Sequence, residues 1–292
     1  MKYPPSTPPR QDKVALPLDG PVPGIPGASM RRVASLPDAL AGGVRVGPYA
    51  QARPGALLLC VPEVARYLVR DGNSIEIAVE PGADPSAVLL YLHGGARGAL
   101  THQRGELPLH AATLVPPGAD YGVAICGVSG AGKSTLAAEL VRRGWSLLAD
   151  DMTRVTAEAQ GIMAWPGDGV IKLWQDACER SGLDVSELPR VREDVDKFFW
   201  TVPVLSGPVP LRAIVELSPA GAFSRVDESG AGRLALISEN TFRRPHIAAL
   251  GRMKEHVRIV AQVAGACRVT RLQGTRSIPL AELADRVTAT HW

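Results

Sequence analysis

The residues with the most recognisable chemistry lie in one glycine-rich segment near the middle of the chain. Residues 127–134 read GVSGAGKS and match the pattern G-x-x-x-x-G-K-[ST]. Glycines let backbone N–H groups curl around phosphate oxygens, and the positive end of a following helix faces the same oxygens. The pattern predicts a loop that binds the phosphates of a nucleoside triphosphate, ATP in the first instance. The predicted binding residues are Gly127, Val128, Ser129, Gly130, Ala131, Gly132, Lys133, Ser134 and Thr135.

Two of these side chains have specific predicted roles. Lys133 reaches the β- and γ-phosphates, and Ser134 holds Mg²⁺. The flanking sequence agrees, because residues 123–126 read as an apolar strand and a helix is expected from about 133 to 143. The next expected strand, 145–149, completes a βαβ unit. The alternative interpretation is a glycine-rich turn before a helix that binds nothing.

A pair of aspartates, Asp150 and Asp151, follows that next strand. Two adjacent carboxylates near a polyphosphate repel each other and the phosphates, so they need a cation or a proton nearby. An acidic residue at such a strand end in a P-loop protein often coordinates Mg²⁺. The alternative is a solvated pair that caps a turn or a helix.

These residues together resemble a known family. The run from His110 through the glycine loop to Asp150 and Asp151 resembles the catalytic core of HPr kinase/phosphorylase. It is more similar still to the smaller HPr-kinase-like proteins of bacterial peptide-modification clusters, including lasso-peptide kinases. The short spacing between loop and aspartates is the specific feature. The resemblance is strongest over residues 107–155 and weaker over 160–260, where 172–177 and 240–244 are similar to those proteins.

The resemblance implies roles for individual residues. Asp150 would accept the proton from a substrate serine hydroxyl, which is a weak nucleophile without a base. Asp151 would support the metal or orient Asp150. His110 would lie near the phosphates or tune Asp150, although a lone histidine at a strand edge is more often structural. Arg243 and Arg244 would neutralise charge on the transferring phosphoryl group, unless they are simply solvated.

The sequence also departs from the family. The E-x-R-G-x-G signature that full HPr kinases use for metal binding and phosphorolysis is not found. Asp168 or Asp176 would supply an extra acidic group to the metal, with solvation or capping of a helix as the alternative for Asp176. We therefore expect neither phosphorylase activity nor HPr as the substrate.

Composition narrows the class of protein. The net charge of +3 is spread without a Lys/Arg run, so we expect no nucleic-acid partner. No stretch approaches 18 apolar residues and the N-terminus lacks a signal-peptide pattern, so we expect no membrane span and a cytoplasmic location. Reduced thiols are expected at Cys60, Cys126, Cys178 and Cys267.

Three segments are expected along the chain. Residues 1–45 contain many prolines and are expected to form a poorly ordered arm. Residues 46–106 would form a smaller N-terminal α+β subdomain or a sheet extension, with a hairpin at 71–73 and a helix from Asp84 to about Leu100. Residues 107–292 would form a P-loop kinase domain.

The expected fold class of that domain is α/β, with a mixed sheet and flanking helices. The resemblance implies the HPr-kinase-like arrangement, which is related to that of phosphoenolpyruvate carboxykinase. HPr kinases are hexamers, so homo-oligomerisation is an open expectation. Among the later elements, helices are expected over 173–181 and 241–250.

Three functions remain open from sequence. The first is an ATP-dependent kinase that phosphorylates a hydroxyl, with serine of a peptide or protein favoured. The second is a kinase for a small-molecule hydroxyl, and the third is a regulator that binds ATP without catalysis.

Overall fold

A computed structural model describes residues 18–192, 195–290 and 292 of the chain. Within these residues the chain forms three β-sheets with helices packed against them. The expected fold class is confirmed: a mixed α/β sheet with flanking helices and a smaller N-terminal α+β part. The boundaries expected at residues 46 and 107 stay a prediction.

The N-terminal sheet has the strand order β1-β2-β7-β6-β5-β4-β3. Strand β2 runs parallel to β7, and the other neighbouring pairs are antiparallel. The expected hairpin at 71–73 joins β6 to β7. The strands are β1 (Gly20–Pro21), β2 (Ser29–Arg32), β3 (Val44–Arg45), β4 (Ala50–Arg53), β5 (Ala56–Val61), β6 (Ala65–Arg70) and β7 (Ser74–Val79).

Residues 18–45 differ from the expected poorly ordered arm, whose first 17 residues lie outside the described residues. The prolines of this segment favour tight turns rather than disorder. Gly24 and Gly27 follow Pro23 and Pro26 and have φ of +72° and +73°, as the third position of a type II turn requires. These turns bring Leu18, Val22 and Ile25 into the core of the N-terminal sheet.

One helical segment covers that sheet. It consists of α1 (Pro85–Tyr91), a π-helical turn (Leu92–Ala96) and α2 (Arg97–Gln103). Asp84 is the N-cap, as expected, and accepts a 2.9 Å hydrogen bond from the backbone of Ser86. Val88, Leu92 and Leu100 pack into the same core as the strands. π-Helical turns within longer helices are frequent at functional sites.

The remaining described residues form the larger part of the molecule. Its elements are β8 (Leu107–Leu109), β9 (Ala112–Val115), β10 (Gly122–Cys126), α3 (Lys133–Arg142), β11 (Ser146–Ala149), β12 (Thr153–Glu158), β13 (Gly161–Trp165), β14 (Val170–Trp174), α4 (Gln175–Arg180), a 3₁₀ turn (Val185–Glu187), β15 (Arg190–Arg192), β16 (Val195–Thr201), β17 (Val209–Leu217), β18 (Ser224–Asp227), α5 (Gly230–Glu239), α6 (His246–Ala249), α7 (Met253–Ala266), β19 (Arg268–Gln273) and α8 (Leu280–Thr288).

The main sheet has the order β11-β9-β10-β17-β13-β12-β8, with β19 added beside β17 and β18 beside β19. Strands β10, β17 and β19 are parallel. Helices α3 and α8 pack on one side, and α5 and α7 pack on the other. A separate sheet has the order β14-β16-β15. The described helices are too short or too polar to cross a membrane, and all four cysteines carry free thiols.

A buried histidine joins the N-terminal helical segment to the larger part. The Nε2 atom of His102, on α2, donates a 2.8 Å hydrogen bond to the carbonyl of Phe242. Burial lowers the pKa of His102 and of His246, on α6, from 6.5 to about 4. Both imidazoles are therefore neutral in the folded protein at pH 7.

We expect stability to fall in mild acid. Because the folded pKa values lie below the unfolded value of 6.5, stability is fully present above pH 6.5 and is lost as the pH falls through about 4. Each histidine accounts for about 3 kcal/mol of this loss. Urea unfolding at several pH values measures it. His102→Gln keeps a hydrogen-bond donor but does not titrate, so its free energy of unfolding should depend less on pH. A pH dependence parallel to that of the unchanged protein would contradict the assignment.

Candidate active site

The glycine-rich loop connects the buried strand β10 to helix α3, as the sequence predicts. Gly127, Gly130 and Gly132 have φ of +136°, +79° and +95°. A Cβ atom at Gly127 would lie 2.6 Å from the carbonyl oxygen of Leu217, so a larger residue does not fit there. Residues 128–130 are exposed at the surface, where an incoming phosphate group can reach their backbone.

Lys133 begins helix α3 directly behind the loop. Its ammonium group donates hydrogen bonds to the carbonyls of Gly127 (2.7 Å) and Val128 (3.2 Å). The residue is buried, and burial lowers the pKa of its ammonium group. The cation therefore lies across the loop at the position from which it can reach a phosphate oxygen.

Asp150 ends β11 next to the first turn of α3. The Ser134 hydroxyl lies 3.2 Å from each of its carboxylate oxygens, and the backbone N–H of Lys172 donates at 3.1 Å. Asp150 is only 9% exposed. Burial, and then the neighbouring Asp151, raise its pKa to about 6. The carboxylate is thus ionised at neutral pH and basic enough to accept a proton.

The environment of Asp151, the next residue, shifts the pKa of its carboxyl group in the opposite direction. The Lys172 ammonium donates to its carboxylate at 2.8 Å. Burial raises the pKa of Asp151, but Lys172 more than offsets this and the net shift is downward. Titratable neighbours whose environments separate their pKa values are typical of acid–base sites.

His110 holds the turn at the aspartate pair. Its Nδ1 atom donates a 2.8 Å hydrogen bond to the carbonyl of Asp151 and lies 3.7 Å from that residue's carboxylate. Burial, and then Lys133, lower the pKa of His110. The neutral ring with a proton on Nδ1 leaves Nε2 as an acceptor. The structure therefore brings His110, Lys133, Ser134, Asp150 and Asp151 together.

A cavity of 680 Å³ opens beside these residues. One wall carries His110, Asp151 and loop residues 127–129, and the other carries residues 90, 91, 94 and 95 of the N-terminal helical segment. Residues 216 and 239–243 complete the lining of the cavity. The cavity therefore lies between the two parts of the molecule, where ligand sites are common.

Backbone strain marks the same cavity. Four described non-glycine residues have a positive φ, and two of them, Asp151 (+66°) and Arg243 (+52°), line it. Left-handed conformations of such residues cost free energy and often lie at functional sites. The strain supports a functional role for this cavity.

Sequence reasoning did not assign Asn240 to the site. Its side-chain oxygen accepts a 3.0 Å hydrogen bond from the N–H of Gly127, and its side-chain nitrogen donates to Glu216 at 2.8 Å. Its backbone carbonyl accepts the N–H of His110 at 2.8 Å. One buried residue thus fixes both the start of the loop and His110. The only signal in the sequence was that Asn240 lies in the segment 240–244, which is similar to HPr-kinase-like proteins.

Two lysines were also missed. Lys172 contacts both aspartates, and Lys197 lowers the pKa of Lys133 and of Asp151 by its charge. The sequence has only six lysines, and three of them surround the site. This scarcity was the signal that could have identified Lys172 and Lys197.

Asp176, which is predicted to complete a metal site, is not among the residues that line the cavity. Its side chain is 65% exposed and pairs with Arg180 at 2.7 Å on the outer face of α4. The predicted helix 173–181 starts only at Gln175, because 170–174 form β14. Asp168 lies 3.8 Å from His93 and is also outside the cavity lining. The described residues contain no cluster of three or more His, Cys, Asp or Glu side chains that could hold a metal.

Arg244, the other arginine with a predicted catalytic role, does not line the cavity either. The left-handed backbone at Arg243 interrupts the expected helix 241–250, and α6 begins only at His246. Arg243 therefore lines the cavity, whereas Arg244 lies near the buried His256, whose pKa is lowered by burial and then by the charge of Arg244.

Comparison with known proteins finds similarity over the region that contains this site. Residues 112–172 match the sequence model of the family "HPr Serine kinase C-terminal domain". An HPr kinase/phosphorylase from Exiguobacterium sibiricum is 30% identical over 142 residues, which are 46% of this chain and 44% of that protein. The chain thus spans less than half the length of this relative. The HPr(Ser) kinase/phosphatase structure from Coxiella burnetii covers 62% of this chain and 91% of its own, with 15% identity and a TM-score of 0.31.

The strand, glycine loop and helix follow the order that the P-loop pattern predicts. The central region of the chain is similar to the HPr kinase C-terminal domain, as the resemblance of the sequence predicted.

We expect Asn240→Ala to destabilise the loop. The N–H of Gly127 and the Glu216 carboxylate would lose a buried partner, which costs roughly 1–3 kcal/mol. Urea unfolding measures this loss. Asn73→Ala is the matched control, because Asn73 is the other asparagine in the sequence and lies exposed in the β6–β7 turn. Equal stability of both variants would show that the Asn240 bridge is unimportant.

Proposed function

We propose that this protein is an ATP-dependent kinase that phosphorylates a serine hydroxyl of a peptide or protein. The observation that carries the proposal is the contact of Ser134 with both carboxylate oxygens of Asp150, at 3.2 Å each. It joins the phosphate-binding loop to the aspartate pair. The kinase names of the similar proteins support the reaction type.

The residues fit ATP with Mg²⁺. Hydroxyl and carboxylate oxygens are the ligands that Mg²⁺ prefers, commonly one or two from protein with phosphate oxygens beside them. Ser134 and Asp151 would hold the ion. Bound Mg²⁺ supplies neutralisation of charge on the β- and γ-phosphates.

The chain's own residues then supply the rest of the chemistry. The loop N–H groups and Lys133 bind the phosphates. The acceptor oxygen forms a bond to the γ-phosphorus, the bond from that phosphorus to the ADP oxygen breaks, and Asp150 takes the hydroxyl proton. His110 keeps the aspartate turn in place through its hydrogen bond to the Asp151 carbonyl. Arg243 faces the cavity in which the phosphoryl group moves.

The identity of the acceptor is the more specific part of the proposal. We favour a peptide of a bacterial modification cluster over HPr, with forward phosphorylation only. The four free thiols agree with the reducing cytoplasm as the place of action. Homo-oligomerisation stays a prediction.

We expect Asp150→Asn to lower kcat by roughly 10²–10⁴-fold, because it removes the base. ATP affinity should stay within a few-fold, since the loop and Lys133 are unchanged. Transfer from γ-labelled ATP to serine peptides measures both. Asp176→Asn is the control and should be fully active, because its carboxylate is exposed and pairs with Arg180 rather than with the site residues.

Asp151→Asn separates the roles of the two aspartates. We expect it to raise the Mg²⁺ concentration needed for half-maximal rate. Full activity of the Asp150→Asn variant would exclude Asp150 as the base. Loss of transfer in Asp151→Asn with an unchanged Mg²⁺ requirement would assign the base to Asp151 instead.

We expect Arg243→Ala to lower kcat by about 10²-fold, because one charged donor to the transferring group is lost. Arg244→Ala is the matched neighbour and should stay within twofold of the unchanged protein. The same transfer assay measures both variants. Equal effects of the two substitutions would contradict the role of Arg243.

A further inference from the structure

A second, smaller cavity of 110 Å³ adjoins the active-site cavity. Tyr91, Gly95 and Arg243 line both spaces, so the two are adjacent. We call the smaller one the side pocket. Leu57 and Leu59 of the N-terminal sheet line it, and neither aspartate of the pair does.

The walls of the side pocket are mainly apolar. Leu57 and Leu59 of β5 are buried in the N-terminal sheet, and Tyr49, which is 44% exposed, stands among the lining residues. The other apolar lining residues are Val46, Pro48, Ala50 and Pro245. A charged side chain would lose its hydration here, whereas an apolar one gains by leaving water.

Two basic residues line the side pocket, and they differ in charge. Arg243 stands at the junction with the active-site cavity. His246 is buried, its Nδ1 atom has no hydrogen-bond partner, and burial lowers its pKa to about 4. The imidazole of His246 is therefore neutral at pH 7. Arg243 is then the charged residue of the two.

We propose that the side pocket is a specificity subsite for one bulky aliphatic side chain, such as leucine or methionine, of the acceptor peptide. The inference rests on the proposed kinase function. Its basis is that the two cavities adjoin at Tyr91, Gly95 and Arg243: a peptide whose serine reaches the aspartate pair would pass these residues, which places a neighbouring side chain beside the apolar space. The volume suits an aliphatic side chain, since a cavity of about 150 Å³ accommodates benzene.

The test uses the full chain and a panel of eight-residue peptides with one central serine. Each flanking position carries Ala, Leu, Met, Lys or Glu in turn. At one position we expect Leu and Met to raise kcat/KM by roughly 10–100-fold over Ala, with Lys and Glu no better than Ala. The same panel with Ala in place of the serine tests binding alone, by calorimetry.

Two substitutions in the side pocket provide the structural test. Tyr49→Ala removes part of the wall, and Ala50→Leu fills the space. Both should abolish the advantage of Leu and Met while leaving the rate with the all-Ala peptide unchanged. Val44→Ala is the matched control, since Val44 is exposed on the neighbouring strand and does not line the pocket. Thermal unfolding confirms that each variant is folded.

The outcomes separate this inference from the kinase proposal. Equal transfer and equal binding at every flanking residue would overturn the side pocket and leave the kinase intact. A Leu or Met preference in binding without phosphate transfer would support the side pocket and overturn the kinase. A preference that survives Tyr49→Ala and Ala50→Leu would overturn the side pocket as its origin.

Discussion

Two adjacent carboxylates, one buried and one partly buried, are the constraint on which this site depends. Asp150 and Asp151 cannot both be ionised away from water unless donors and cations compensate them. Lys172 compensates both, with its backbone N–H on Asp150 and its ammonium on Asp151. Strand β14 presents Lys172 in this way, and its pairing with β16 holds 170–174 in an extended conformation. The resulting separation of pKa values gives the pair two different chemical roles.

The active-site cavity depends equally on contact between the two parts of the chain. His102 binds the Phe242 carbonyl, and Arg154 of β12 binds both Glu106 and the Gly24 carbonyl. These bonds hold the N-terminal segment against the larger part. Without them the wall formed by the π-helical turn would not face the glycine loop. The N-terminal part therefore shapes the space that an acceptor enters.

The sequence was most informative where local chemistry determines local structure. The glycine loop, its flanking strand and helix, the Asp84 cap and the 71–73 hairpin each follow from residues adjacent in the chain. The wrong helix bounds have a different cause. Asp176 and Arg244 were assigned from the resemblance, in segments expected to be continuous helices, but pairing of β14 with β16 and the left-handed backbone at Arg243 redirect the chain. The Asn240 side chain binds the backbone of Gly127, which lies 113 positions away in the sequence. No local sequence pattern reveals such a contact.

A crystal structure of the protein with Mg²⁺ and a non-hydrolysable ATP analogue tests the central claim most directly. The account predicts the β- and γ-phosphates within hydrogen-bond distance of the loop N–H groups. It also predicts that Lys133 Nζ turns from the Gly127 carbonyl to a phosphate oxygen, and that Asp150 lies beside the γ-phosphorus. A nucleotide bound elsewhere, or a γ-phosphate separated from Asp150 by packed side chains, would contradict it.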